Sequence, residues 1–374
     1  MEKDGMKILV TGSSGFIAKN LIAELRNRGY EKLFLCNRGT TAKELEKYVM
    51  ECDILVHLAG VNRPGSEEDF YTVNVGFTEK IVKILERMNR KICMVFSSTI
   101  QAGHHKCYEE SKQEAEKILQ EYARRSGSSL FILRLPNVFG KWCRPNYNSV
   151  VATFCYNLSH GLGITVNDPD AKINLVYIDD VVNEIITCMS QKNNVAGEYR
   201  EIPEKYRTTV GEVAQIISSF KTEREQLEVP NIGKSLVKKL YSTYLSYMEL
   251  ENYCHELKMN IDARGSFTEF LRSQDFGQIS INVAKPGVVK GNHWHHTKVE
   301  KFLVVKGKAS IRFRHMVSGR TMEYMVSGDK MEVVDIPVGY THNITNIGTE
   351  DLVTVMWANE VFDKQRPDTY YEEV

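Results

Sequence analysis

Two groups of residues in this 374-residue chain have types and spacings that do chemistry. The first is His293, His295, Glu300 and His342. Side chains alternate faces along a strand, so His293 and His295 point one way while Trp294 and His296 point the other. Glu300 falls on or near the adjoining strand, and His342 arrives from a distant one. Three imidazoles and a carboxylate make a mixed nitrogen–oxygen site for Zn²⁺, Fe²⁺, Mn²⁺ or Ni²⁺, with zinc the expected ion where no redox step is needed. Histidines without a metal are the plain alternative. The second group is Gly12-Ser13-Ser14-Gly15-Phe16-Ile17-Ala18, between a β-branched run and a helical pattern. Gly12 permits a tight turn, Gly15 lets backbone approach a pyrophosphate, and small Ala18 allows close helix–strand packing. The helix N-terminus supplies unpaired N–H groups and a positive dipole end. Gly12, Ser14, Gly15, Phe16 and Ile17 are therefore expected to hold a dinucleotide.

About twenty residues further on, an acidic side chain would grip the ribose diol of NAD. This chain has Cys36-Asn37-Arg38 there. Arg38 suits a 2′-phosphate, so NADPH/NADP is expected over NADH, a solvated arginine being the alternative. Asp53, opening the next strand, is read as a contact to the adenine edge or as a cap on that strand.

These groups need scaffolds of two kinds. In the first half, strands expected at 7–11, 32–36, 53–58, 92–97 and 130–135 alternate with helices at 15–28, 41–50, 74–88 and 110–126. Such alternation implies a doubly wound parallel sheet, a Rossmann-type α/β domain. A looser region follows to about 240, and a polar stretch at 249–258 is expected to link the halves. Beyond it, short Val-, Ile- and Phe-rich strands between glycine turns predict an all-β barrel or sandwich. The domains expected are 1–248 and 249–374.

Bulk properties narrow the function. Forty-eight basic and 48 acidic side chains give a net charge of +0, with no electrostatic footprint for nucleic acid or a membrane. Eight scattered cysteines without a CxxC pair read as free thiols in a reducing cytoplasm. No signal peptide and no apolar run of spanning length is recognisable, so a cytoplasmic protein is expected.

The GxxGxxA loop, followed by His57-Leu58-Ala59-Gly60, resembles the extended short-chain dehydrogenase/reductase family over roughly residues 6–240. The resemblance implies that Leu58, Ala59 and Gly60 line the cofactor. It also draws attention to Tyr108-Glu109-Glu110-Ser111-Lys112, which has the family's YxxxK spacing. Positions i and i+4 share a helix face, so the Lys112 ammonium is placed to lower the Tyr108 phenol and make it a proton donor and acceptor. The family's SS[ST] pattern makes Thr99 the substrate-binding hydroxyl, with Ser98 second. Only eight residues separate Thr99 from Tyr108, so the intervening loop is short for this family. Leu135-Pro136-Asn137-Val138-Phe139-Gly140 resembles the family's sugar-nucleotide segment, which implicates Asn137 and, beyond it, Lys141, Arg144, Asn146 and Asn148, a polar loop being the alternative. The Asp179-Asp180 pair reads as a helix cap.

The run GVVKGNHWHHTKVEKFLVVKG from Gly287 and PVGYTHNITN from Pro337 fit the two motifs of the cupin family, a jelly-roll β-barrel. Asp262-Ala263-Arg264-Gly265-Ser266-Phe267-Thr268-Glu269-Phe270 resembles a segment of sugar-nucleotide epimerases built on that barrel, where the arginine and glutamate contact the nucleotide-sugar. Arg264 and Glu269 are the matching residues. A reductase followed by such a cupin resembles the CapF family of capsular polysaccharide synthesis enzymes over essentially the whole chain. That resemblance implies a homodimer and a UDP-linked 4-keto-6-deoxy-N-acetylhexosamine substrate. The cupin would epimerise C3 of a UDP-2-acetamido-2,6-dideoxy-4-hexulose, and the front domain would reduce the C4 ketone with NADPH to UDP-2-acetamido-2,6-dideoxy-L-talose, toward UDP-N-acetyl-L-fucosamine. Two other readings stay open: a reductase whose cupin is a non-catalytic, metal-stabilised dimerisation module, and a nucleotide-sensing protein without catalysis.

Overall fold

The computed structural model describes residues 5–63, 66–100, 107–191, 195–257, 260–262, 265–267, 277–360 and 365–374. The chain forms two compact units, Met1–Arg144 with Ile173–Arg207, and Pro145–Lys172 with Thr208–Val374. The segments 145–172 and 208–248 thus pack with the later strands, although the composition changes only near 248.

In the first unit, six parallel strands run in the order Leu33–Cys36, Ile8–Thr11, Ile54–His57, Cys93–Thr99, Ser129–Leu135, Ala196–Arg200. Ile8–Thr11 and Ile54–His57 are buried at every position, as strands covered on both faces must be. Leu9, Leu55, Met94, Phe96, Leu130 and Ile132 project from one face onto Leu45, Val49, Ile81, Leu85, Ala115 and Leu119 of the covering helices. Each such side chain contributes about 1.5–3 kcal/mol by burial. Thr41 and Glu44 start the helix Ala42–Glu51 with a reciprocal capping box. The helix expected at 74–88 runs Phe77–Arg87 and is preceded by a π turn, Tyr71–Gly76. Strand order reverses beside Ile8–Thr11, and ligands of open α/β sheets bind outside the carboxyl ends of the strands at such a point.

The second unit holds two five-stranded antiparallel sheets. One is ordered Cys254–Glu256, Glu332–Ile336, Glu300–Lys306, Leu352–Ala358, Gln278–Ala284. The other is ordered Thr321–Ser327, Lys308–His315, Tyr340–Asn346, Val289–Trp294, Tyr370–Tyr371. A parallel α/β sheet followed by an antiparallel all-β region is the expected fold class. The linker expected at 249–258 is not one: Leu250–Tyr253 is a 3₁₀ turn, and Cys254–Glu256 pairs with 332–334, which satisfies its backbone groups. Helix Val210–Glu225 is tied to the sheet by a buried cluster. The Asp335 carboxylate accepts from Arg224 Nε at 2.6 Å and from the Lys301 ammonium, and Arg224 also donates to Asn252 O at 2.6 Å. Burial opposes ionisation of Asp335, but Lys301 and Arg224 hold it far below the carboxylate range.

Candidate active site and metal centre

At the carboxyl end of Ile8–Thr11 the chain turns on Gly12, whose φ is +67°. A Cβ there would lie 2.8 Å from both Cα and N of Ala59, so glycine lets the 58–59 backbone come against the loop. Gly15 N donates to Gly12 O at 2.8 Å and closes the turn. Gly15 is the N-cap of Phe16–Asn27 and no side chain caps that end, which leaves the N–H groups an anion would use. Ser14 and Gly15 are exposed there, Phe16 and Ile17 half-buried. Behind the loop, Thr11 Oγ1 meets His57 Nδ1 at 2.7 Å and accepts from Ala59 N at 3.2 Å, while His57 Nε2 meets Thr78 Oγ1 at 2.9 Å. Burial, then Lys112, pushes His57 down to about 3, so it stays neutral and ties the strand ends together. Arg38 is exposed in the turn after Leu33–Cys36, one strand from the loop and at the same end of the sheet. These residues fit a dinucleotide phosphate.

Asp53 does not fit an adenine contact. It opens its strand at the opposite end of the sheet, where its carboxylate accepts from Lys7 N at 2.8 Å. It caps the strand, the plainer of its two readings.

Tyr108 and Lys112 lie in the first turns of Cys107–Ser126. Lys112 is 5% exposed, its ammonium 4.3 Å from the centre of the Phe96 ring. A Cβ at Gly60 would lie 3.6 Å from Lys112 Nζ. Burial lowers the ammonium to about 8, with Glu116 offsetting part of the effect. The expected lowering of Tyr108 is not found: burial, then Glu109, pushes the phenol up to about 12. Lys112 brings no lowering: desolvation of the phenol sets the shift, and Glu109 adds to it. Ser98 and Thr99, both buried, end the strand Cys93–Thr99, and Ser98 Oγ has no hydrogen-bond partner among the described residues.

Asn74 carries no motif and escapes a reading of the sequence. It sits buried in the π turn, where Oδ1 accepts from Val61 N at 2.9 Å. Its Nδ2 donates to Val61 O at 3.1 Å and Ser111 Oγ at 2.9 Å, and Ser111 Oγ donates to Tyr108 O at 2.7 Å. This chain fixes the cofactor-side loop against the tyrosine helix.

The residues expected around the sugar fall in both units. Asn137 is exposed, its amide 3.4 Å from Asn174 O. Arg144 is exposed in the first unit and Asn148 in the second. Lys141 is no surface ligand: fully buried, it pairs with Asp179 at 2.7 Å, which gives that aspartate a partner beyond its place in the first turn of Ile178–Ser190. Asn146 is exposed, its backbone N–H donating to Thr153 Oγ1 at 3.0 Å. Arg264 and Glu269 lie outside the described residues.

In the second unit, one donor atom from each of His293, His295, Glu300 and His342 lies within 4.8 Å of all the others. Glu300 Oε2 is 3.4 Å from His295 Nε2 and 3.3 Å from His342 Nε2. Glu300 comes from one sheet and the histidines are set on or beside strands of the other, with Phe302 reaching across to His342. Burial, then the other two imidazoles, pushes His293 down to about 3. Burial also lowers His342, partly offset by Glu300. Burial alone would raise Glu300, but His295 and His342 hold it well below the carboxylate range. Three imidazoles and an ionised carboxylate, their donor atoms within 4.8 Å of one another, fit a divalent metal.

Fold and site define a Rossmann-type unit joined to a unit whose two antiparallel sheets hold a four-donor site. Residues 8–202 match the model of the NAD dependent epimerase/dehydratase family, and 260–370 match the polysaccharide biosynthesis C-terminal domain. A UDP-2-acetamido-2,6-beta-L-arabino-hexul-4-ose reductase from Pseudomonas aeruginosa is 42% identical over 98% of both chains. Capsular polysaccharide assembling protein CapF from Staphylococcus aureus is 46% identical, with a TM-score of 0.66 over 99% of this chain and 100% of that one. UDP-glucuronic acid 4-epimerase from Bacillus cereus, 19% identical with a TM-score of 0.52, covers 58% of this chain and 83% of its own and shares the fold. The chain belongs to the NAD dependent epimerase/dehydratase family, and the whole-length matches bear out its likeness to CapF. Among the described residues, no helix is long and apolar enough to cross a membrane.

Proposed function

We propose that the chain converts a UDP-linked 4-keto-6-deoxy-N-acetylhexosamine in two steps. Residues 249–374 epimerise C3 of UDP-2-acetamido-2,6-dideoxy-4-hexulose at the metal centre. Residues 1–248 then reduce the C4 ketone, giving UDP-2-acetamido-2,6-dideoxy-L-talose on the way to UDP-N-acetyl-L-fucosamine. The protein works as a cytoplasmic homodimer, a setting with which its eight free thiols agree. The name of the 42% identical relative supports the reductase. The observation that carries the reading is Lys112, a buried ammonium with no ion pair or hydrogen bond to a described residue, on the tyrosine's helix and close to Gly60. Such a charge is costly unless a bound group uses it.

NADPH, when bound, supplies the hydride. Tyr108 gives the proton to the C4 oxygen, and a phenol near 12 is protonated at neutral pH, as an acid in the reducing direction must be. Thr99, with Ser98 as the second choice, hydrogen-bonds that oxygen. A divalent ion held by His293, His295, Glu300 and His342 would act as a Lewis acid on the keto group. The ketone acidifies the C3–H bond, and its reduction locks the new configuration, which gives both activities a reason to share one chain.

The test uses the full chain in D₂O with the 4-keto sugar nucleotide. Tyr108→Phe is expected to lose NADPH oxidation by 10²–10⁴-fold while deuterium still enters C3. His342→Ala is expected to lose the deuterium uptake. Retained NADPH oxidation in the first variant sinks the reductase; a metal-loaded wild type without uptake leaves the barrel a structural module.

A further inference from the structure

The last residues of the chain return to the metal centre. Tyr370–Tyr371 pairs antiparallel with the strand that carries His293, setting Tyr371 opposite His293 and Tyr370 opposite Trp294. Just before this strand, Asp368 holds a left-handed backbone, φ +37°, unusual for a residue with a side chain. Its carbonyl accepts from His295 Nδ1 at 2.5 Å. Its carboxylate accepts from three successive backbone groups, His296 N at 2.9 Å, Thr297 N at 2.8 Å and Lys298 N at 2.7 Å, and from Thr297 Oγ1 at 3.1 Å. Lys298 Nζ closes the other side on Pro367 O at 2.9 Å and Thr369 Oγ1 at 2.5 Å.

Each contact has a consequence for the donor set. A carbonyl takes a hydrogen bond only from a protonated ring nitrogen, so the Asp368 carbonyl holds the Nδ1 side of His295 and leaves Nε2 as the atom that faces the other donors. The clamped residues 296–298 are the bridge between His295 and Glu300, and their path sets how far apart those donors stand. One residue thus fixes both the ring nitrogen that one ligand presents and its spacing from the next.

The geometry points to Asp368 as the positioning residue of the metal centre, with the C-terminal strand as the strap that holds it there. The inference rests on the metal-site reading above. Outer partners of metal-bound histidines typically govern affinity by 10–100-fold. The full-length protein, stripped by a chelator, is titrated with Zn²⁺ against a competing chromophoric chelator. Asp368→Ala is expected to bind Zn²⁺ about 10–100-fold more weakly. Asp368→Asn, which keeps one acceptor oxygen, falls between. Asp351→Ala, in an exposed pair with Lys285, serves as the control and keeps wild-type affinity. With Co²⁺ in place of Zn²⁺, the visible absorption of the bound ion, which reports ligand geometry, is expected to shift in Asp368→Ala, a change that lost stability alone would not produce.

Zn²⁺ affinity in Asp368→Ala within twofold of wild type, or an unchanged Co²⁺ spectrum, overturns the inference and leaves the metal site standing. If the alanine variant does not fold, wild-type affinity in Asp368→Asn overturns it equally. Absence of Zn²⁺ uptake by the wild type overturns the metal reading itself.

Discussion

Lys112→Met removes a charge and keeps a chain of similar length. Burial brings this ammonium from the ordinary lysine value of 10.5 to about 8. At about 1.4 kcal/mol per tenfold change, keeping it charged costs the fold roughly 3 kcal/mol at neutral pH. The folded value lies below the unfolded one, so the unfolded chain binds more protons between pH 8 and 10.5. The cost is therefore complete below about pH 8 and fades as pH rises toward 10.5. Methionine forfeits the contact with Phe96, about 1 kcal/mol for a partly desolvated cation over a ring. The variant is expected to be more stable than wild type by about 2 kcal/mol at pH 7, and to show little gain at pH 10. Urea denaturation of the cofactor-free protein at both pH values measures this. NADPH oxidation should fall by 10²–10⁴-fold in the same variant. Lower or unchanged stability at pH 7, or a gain of equal size at pH 10, would refute the idea that this site stores a desolvated charge.

Two further outcomes follow from particular contacts. Arg224→Ala leaves the fully buried Asp335 with Lys301 alone and is expected to cost about 3–5 kcal/mol, read from denaturant unfolding of the full chain; a loss under about 1 kcal/mol would show the cluster to be slack. Arg38→Ala should raise the KM for NADPH by roughly 10–100-fold, the loss of one charge-assisted contact, and leave that for NADH nearly unchanged; equal effects on both would remove Arg38 from the 2′-phosphate.

Much of both sites was legible because glycine and histidine spacings encode local geometry. Gly12 and Gly15 stand one turn apart between strand and helix, and that placement alone forces the close backbone approach. His293 and His295 share a strand face whatever the rest of the barrel does. Asp53 stayed open between an adenine contact and a strand cap because an acidic residue in sequence does not show which end of the sheet it occupies, and register decides that. Tyr108 was expected to be lowered by its i+4 lysine, but spacing places side chains on a face without revealing how deeply that face is buried. Asn74, Arg224 and Asp368 act through partners 13 to 111 residues away, and no local pattern announces such contacts. The same holds for the segments 145–172 and 208–248, whose partners are set by tertiary packing rather than by composition.

The interleaving of the two units bears on how this chain is made. Helix Val150–Ser159 buries Val151, Phe154 and Cys155, and the helices it packs on, Val210–Glu225 and Ser235–Leu245, lie far downstream. On the ribosome its apolar face therefore waits for at least roughly 65 further residues, on the order of 3–13 s at about 5–20 residues per second. Meanwhile Ile173–Arg207 emerges and completes the first sheet, so one unit can close around its last strand while the other holds an orphaned helix. That window is where a chaperone or a heat pulse would act on the nascent protein. It also means that any cut of the chain between residues 145 and 207 divides both units at once.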